Sequence, residues 1–594
     1  MYSNTMAALI SALDNKIVMQ IGENGHQEYG WSHSSTREGI LQFSFQLTRT
    51  EDAGQLKLLD TKIREILSSI SSPPRTAEKE EFLITLYKMI GHTRDVIAGK
   101  GEYSLTYMMI LAWYDYFPEC AKYALEACVC PQMDAATNKY INDDHPYGSW
   151  KDIKYFCNYC KQYTKDQNHP MIMHAISLMN RQILIDHFPE SSNKSLAAKW
   201  VPRENSGKFG WMFKELACQY NSHYLHTSNK PEAKIRAIKK AKMDYRKLCA
   251  ELNKIIDTTQ IKQCSKKWSD IDFDRVTSIT LTKQKKAFLN VNSDGELKSD
   301  EHDRMECRAH FMEHVAKAIV GEKEVKGARI GMENFTKQAM ALLRQRKKPS
   351  PSLQVEEDML NSQWRDNGSN NKALGAMIAM VDVSSSMTAD NAMNAAIALG
   401  CRIAENSLLG KRVMTFSADP TWVNLEGATN FIDMVDTICD APWGMDTNFY
   451  SALDMILESI VENQLAADVV ENMMLVILSD MQMNQCGGHN IGSVYEIMEK
   501  KYAAAGIRAN GIAYKPPHIL FWNLRSTNGF PSSSTQKNVS MVSGFNPSLL
   551  NMFCEQGLDA LQSCTPWSNL MAILDNDRYT RMQDYICNVF RKKL

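Results

Sequence analysis

The chain has 594 residues, with 67 Lys plus Arg against 68 Asp plus Glu and a formal net charge of −1. Hydrophobic residues make up 44% and charged residues 23%. That balance excludes a wholly basic nucleic-acid coat, an acidic disordered chain and a linker array, and the length calls for at least two domains. Fifteen cysteines thinly spread through the chain (Cys 15) do not form a disulfide scaffold and fit a reducing compartment.

Met1 to Gln20 carries Asp14 and Lys16 and shows no charged start followed by an apolar block. No apolar run approaches the roughly 18 residues a spanning helix needs. A soluble, cytoplasmic protein without a membrane partner is expected. Phe82, Leu83, Leu86, Met89 and Ile90 recur at helical spacing. Leu105, Met108, Met109, Ala112, Trp113 and Tyr116 repeat the pattern, as do Tyr245, Leu248, Leu252, Ile255 and Ile256. Breakers separate these blocks at Ser71–Pro74, His145–Gly148, Phe188-Pro189 and Trp200–Pro202. Residues 1–346 therefore read as an all-helical domain of stacked helix pairs, without a repeat of fixed length. Lys347 to Asn371, with Pro349, Pro351 and Gly368, reads as the linker.

From 372 to 594 the pattern becomes α/β. Gly375–Asp382, Arg412–Ser417, Met473–Asp480 and His518–Trp522 read as strands, and Thr421–Leu425 as the second arm of a hairpin. Helical stretches at Ala389–Ser407, Phe431–Asp440, Phe449–Ile460 and Ser493–Ala505 alternate with them. The expected fold class is thus α plus α/β, the second part an open parallel sheet covered on both faces. Ligands on such sheets sit at the carboxyl ends of strands, where Asp382 and Asp480 fall.

Asp382, Ser384 and Ser386 offer a carboxylate and two hydroxyls as the chain leaves a strand. Thr447 can add a third hydroxyl and Asp480 can hold a metal-bound water from the neighbouring strand end, making a hard-oxygen set suited to Mg²⁺, with Mn²⁺ or Ca²⁺ as alternatives. So few charged ligands leave an open position for a partner's carboxylate or phosphate. The bland alternative is that Ser384 and Ser386 cap the next helix.

These residues, in this order, resemble the three-part metal-ion-dependent adhesion site of von Willebrand factor A domains, which are Rossmann-like. A helical domain followed by such a domain is similar to the Ro autoantigen, or TROVE, layout. The chain resembles more closely an uncharacterised TROVE-like family. Its matching stretches include Glu23–Gly25, Arg94–Glu102, Tyr147–Asp152, Ala198–Glu204, Tyr245–Leu248, Trp268–Phe273 and Trp443–Phe449. The Ro resemblance implies a HEAT-like arc of helices that binds RNA on a basic surface within a ribonucleoprotein; a metal-dependent hydrolase of phosphate esters is not expected, because the hydroxyl-rich ligands suit docking and no separate base or nucleophile stands beside them.

Charge distribution agrees with that implication. Residues 191–350 hold about 33 basic and 19 acidic side chains, whereas 371–594 hold about 15 and 22. Candidate phosphate contacts are Lys194, Lys199, Arg203, Lys208, Lys239, Lys240, Lys242, Arg246 and Lys247. Each alone also reads as a solvated surface residue. Trp200 and Trp211 are expected in the core rather than stacked on bases.

Weaker signals read as structural. Gly99-Lys100-Gly101 is expected to be a turn between helices, with Arg94 and Asp95 paired inside the fold. Cys157 and Cys160, with His169 and His174, read as buried thiols and not as a zinc site. His302, His310 and His314 are expected on a surface helix. The expected function is a non-enzymatic RNA-binding protein with a metal-dependent partner site. The alternative is a protein–protein scaffold whose metal site captures an acidic residue, without RNA.

Overall fold

The structure is a computed structural model that describes residues 19–132, 145–189, 194–226, 230–347, 349–369, 374–444, 447–484, 493–550, 553 and 558–591. The chain divides into two compact units. One comprises Met1–Met89, Phe273–Asp300 and Arg308–Asp577; the other comprises Ile90–Asp272, Glu301–Cys307 and Arg578–Leu594.

The first unit carries two sheets. A short antiparallel pair, β1 (Met19–Ile21) and β2 (Gln27–Tyr29), opens the described chain, so the N-terminal part is not all-helical. The main sheet has β3 (Met377–Asp382), β4 (Arg412–Phe416), β5 (Thr421–Asn424), β6 (Met474–Ser479), β7 (His518–Asn523) and β8 (Val539–Ser543). Its order is β5-β4-β3-β6-β7-β8, all parallel except the antiparallel edge strand β5. Every residue of β3, β6, β7 and β8 is buried. This is why β3, β6 and β7 read as continuous apolar runs and not as alternating ones.

The order places the functional edge. From β3 the chain moves to β4 on one side, and β6 then pairs on the other side of β3. The crevice between the carboxyl ends of β3 and β6 is a topological switch point, where open α/β sheets bind ligands. Helix Ala392–Asn406 follows β3 and packs back on it. A Cβ at Gly400 would lie 2.6 Å from Val381 Cγ2, so the absent side chain permits this close approach.

The expected linker is partly structured. Leu353–Gly368 is a helix of the sheet unit, while residues 348, 370 and 371 lie outside the described residues. Trp364 on this helix stacks on Phe431 with ring centroids 3.9 Å apart. Its Nε1 donates to both carboxylate oxygens of Glu405, at 2.9 and 3.0 Å. An apolar ring with a satisfied N–H anchors the segment.

The second unit is helical, with Ser104–Tyr116, Pro118–Val129, Lys151–Thr164, Pro170–His187, Gly210–Tyr220 and Pro231–Ile256 as its main helices. The chain's last helix, Thr580–Arg591, belongs to it, with Tyr585 stacked on Tyr123 at 3.9 Å. Arg94 donates to both oxygens of Asp152, at 2.6 and 2.9 Å, and Arg578 to both oxygens of Asp95, at 2.7 and 2.8 Å. Gly99–Gly101 is a turn between helices, as the spacing indicates, and Cys157 and Cys160 are buried and free. His314 departs from expectation. It is buried in the sheet unit, with Nδ1 3.3 Å from Asp274 and its ring 5.9 Å from that of Phe273. Among the described residues, no helix is long and apolar enough to cross a membrane.

Candidate metal centre

Asp382 is the last residue of β3 and fully buried. Its Oδ1 accepts from Ser384 N at 2.9 Å and its Oδ2 from Ser479 Oγ at 2.6 Å. The chain then turns into a short 3₁₀ segment, Ser385–Asn391, which places Ser384 Oγ and Ser386 Oγ 3.1 Å apart. Asp480, also fully buried, follows β6 directly, so the two carboxyls sit at adjacent strand ends. Burial, and then the charge of Asp480, raise the Asp382 carboxyl to about 7.

Thr447 precedes helix Phe449–Glu462 and is buried. Asn484 N donates to Thr447 O at 3.0 Å, and Thr447 N donates to Asn484 Oδ1 at 3.4 Å. These bonds tie Thr447 to the loop that carries Asp480. Its neighbours Met445 and Asp446 lie outside the described residues. Asp382 thus ends β3, and Ser384, Ser386, Thr447 and Asp480 lie in the segments at the carboxyl end of β3 and β6.

Arg525, Glu23 and Asn24, none of them a site residue expected from sequence, also reach these groups. Arg525 Nε donates to Asp480 Oδ2 at 2.9 Å, while its Nη2 lies 2.7 Å from Glu23 Oε2. Burial works against the Arg525 charge, but Asp480 and Glu23 outweigh it. Asn24 Nδ2 donates to Gln482 O at 2.7 Å and, more weakly, to Thr447 Oγ1 at 3.5 Å. Beside them, burial raises the Glu28 carboxyl to about 7 and lowers the His26 imidazole to about 4. Arg525 had a sequence signal: it is a charged residue two positions past β7, the strand paired with β6.

The donor chemistry fits a divalent cation. The oxygens are hard, the carboxyls are buried, and Arg525 pairs with Asp480 but with no atom of Asp382. Among the described residues, no group of three or more His, Cys, Asp or Glu gathers as a metal-binding set. An ion here therefore rests on two carboxylates and three hydroxyls. Hard oxygens of this kind are the donors that a divalent cation such as Mg²⁺ takes.

The nine basic candidates divide. Lys242 and Arg246 pair with Glu204, at 2.7 and 3.0 Å, which spends their charge within the fold. Lys194 donates to Phe188 O, and Lys240 lies over the Tyr224 ring. Arg203, Lys239 and Lys247 are exposed. Lys199 and Lys208 join Lys151 and Lys154, which sequence reading did not single out, around Tyr155, Trp200 and Phe209. Lys154 Nζ is 4.7 Å from the Trp200 ring and 5.4 Å from that of Phe209. Trp200 and Trp211 are half-buried, not in the core as expected, and each has a lysine ammonium over its ring.

A family model described as a domain of unknown function (DUF7788) matches residues 376–578. The match takes in all five proposed oxygen ligands and Arg525. The uncharacterized protein L728 of Acanthamoeba polyphaga mimivirus is 25% identical over 574 residues, covering 93% of this chain and 86% of that protein. The likeness to the viral protein therefore extends well beyond the sheet-forming segment.

Proposed function

We propose that the protein is a non-enzymatic, RNA-binding ribonucleoprotein component whose sheet unit is a von Willebrand factor A-like module. That module docks an acidic group of a partner through a divalent cation, Mg²⁺ in the first instance. The observation that carries the reading is Asp382 and Asp480 buried at the switch point beside Ser384 and Ser386. Asp382, Ser384, Ser386, Thr447 and Asp480 would hold the ion, which supplies a positive centre for the partner's carboxylate or phosphate. Backbone amides, Ser479 and Arg525 fix the two carboxylates in place, which suits holding an ion.

RNA binding is supported by the helical unit. Among the described residues, Lys151, Lys154, Lys199 and Lys208 form no ion pair, and they surround half-exposed aromatic rings. Ammonium groups beside open ring faces suit a phosphate chain with stacked bases. The second reading, a protein scaffold without RNA, is favoured by the neutralisation of Lys242 and Arg246 by Glu204.

Calorimetric titration of the full chain with Mg²⁺ tests the metal reading. Asp382→Ala is expected to abolish binding with the fold retained, and unchanged affinity would refute the assignment. Nucleic acid co-purifying with the wild type, read at 260 nm, separates the RNA reading from the scaffold. A partner lost with chelator but not with salt supports the scaffold instead.

A further inference from the structure

The β1–β2 hairpin reaches the candidate metal centre with its turn, Gly22–His26. Glu23 N donates to Gln482 Oε1 at 2.7 Å, and Gly25 forms an antiparallel bridge with Asn484. Gly25 has φ +85°, a conformation that favours glycine and lets the turn present Glu23 and Asn24 together. The hairpin is anchored on its far side too, where Tyr29 and Phe530 exchange both backbone hydrogen bonds at 3.0 Å. Gln20 Nε2 donates to Asn528 O at 3.1 Å. A segment over 450 positions away in sequence is therefore pinned to the loops that follow β6 and β7.

Two of its side chains take positions that a docking partner would need. Asn24 donates to the hydroxyl of Thr447, one of the five proposed ion ligands. Glu23 presents a carboxylate to Arg525 Nη2, while the neighbouring Nε of the same guanidinium holds Asp480. The Glu23 side chain is 57% exposed and that of Arg525 19%. An ion pair half open to water is weak and exchangeable, whereas the Asp480 carboxylate behind it is fully buried.

We propose that Glu23 is the chain's own occupant of the anion position, and that an outside acid docks by displacing it from Arg525. This rests on the metal-dependent docking proposed above and adds a ligand class and a control. The site takes a carboxylate, and the hairpin competes for the place.

The test uses the full chain with Mn²⁺ as the ion and glutarate as the acidic probe, both titrated by calorimetry. Glu23→Gln keeps the side-chain size and removes the charge. It is expected to bind glutarate about twofold to fivefold more tightly than the wild type, the factor an exposed ion pair is worth. Asn24→Ala is expected to change affinity in the same direction. In the wild type, glutarate is expected to speed amide hydrogen exchange over residues 19–29. Equal glutarate affinity in wild type and Glu23→Gln, or no glutarate binding to either, would overturn the inference. If Asp382→Ala meanwhile loses Mn²⁺, the docking reading survives that result. If Mn²⁺ binding ignores Asp382→Ala, the docking reading fails first and the inference falls with it.

Discussion

Asp382→Asn separates the charge of the site from its shape. Asn keeps the volume and an acceptor for Ser384 N, and its amide can donate to Ser479 Oγ, which now donates to Oδ2. In the cation-free wild type, the folded carboxyl titrates near 7, above its ordinary value of 3.8. The protonated form is favoured by folding, so this stability is complete below about pH 4 and is lost as pH rises through about 7. Asp382→Asn removes that loss. The Glu28 carboxyl, also raised to about 7 by burial, leaves a residual slope in the same window in both proteins. If a divalent ion takes the place of the proton, as proposed, Mg²⁺ is expected to stabilise the wild type at pH 8 and much less at pH 5. At a hundredfold excess over its Kd the gain is about 2.7 kcal/mol, a rise of several degrees in Tm. Thermal unfolding with Mg²⁺ or EDTA, at both pH values, measures it. A variant that shows the wild-type Mg²⁺ shift at pH 8, or a wild type that shows none, would refute the reasoning.

Thr447→Val is expected to weaken Mn²⁺ binding with less than about 1 kcal/mol change in stability, because among the described residues the hydroxyl accepts one hydrogen bond, 3.5 Å long; a large drop in Tm would make Thr447 structural. In the helical unit, Arg94→Met leaves Asp152 buried without its cation, and a loss of about 3–5 kcal/mol in chemical denaturation is expected. Replacing Asp152 by Asn as well is expected to recover part of that loss, and strict additivity of the two would contradict a coupled pair. Lys154→Gln with Lys208→Gln is expected to flatten the salt dependence of single-stranded RNA binding by roughly 1.4 in log–log slope. Fluorescence anisotropy reads it, and an unchanged slope places the RNA elsewhere.

The strands that carry Asp382 and Asp480 were legible because both faces of an inner parallel strand are buried, which writes an apolar run ending where the chain surfaces. Strand β8 was not, because Ser540 and Ser543 break the apolar run in Val539–Ser543 without a period of two. Those serines satisfy local partners: Ser540 Oγ lies 3.0 Å from His518 Nε2, and Ser543 Oγ donates to Ser44 O at 2.9 Å. The β1–β2 hairpin is too short for any periodicity, and its stabilising contacts lie in loops hundreds of residues away. For the same reason the expected boundaries at 346 and 372 differ from the observed units. Composition reports local change along the chain. Arg578, by contrast, joins the helical unit through Asp95, 483 positions earlier. Lys151 and Lys154 precede the basic stretch 191–350 in the chain, and only the fold brings helix Lys151–Thr164 beside Trp200 and Phe209.

Charge at the strand ends links the ion to the anion. Asp382 and Asp480 set two negative charges side by side in a buried crevice, and Arg525 compensates one of them. Without an ion the remaining charge is best removed by a proton, and an incoming carboxylate meets a site with no surplus of positive charge beyond the guanidinium already shared with Glu23. A bound divalent ion turns one excess negative charge into one excess positive charge. On the proposed reading, acid docking is then expected to become favourable where it was not, because at short range in a poorly solvated crevice the sign of the net charge decides. Binding of the two is therefore coupled and reciprocal: the acid strengthens the ion as much as the ion strengthens the acid. It follows that glutarate should lower the apparent Kd for Mn²⁺ by the same factor by which Mn²⁺ lowers that for glutarate. Arg525→Gln should diminish that shared factor, because the one guanidinium donates to both Asp480 and the Glu23 carboxylate that the acid is proposed to displace.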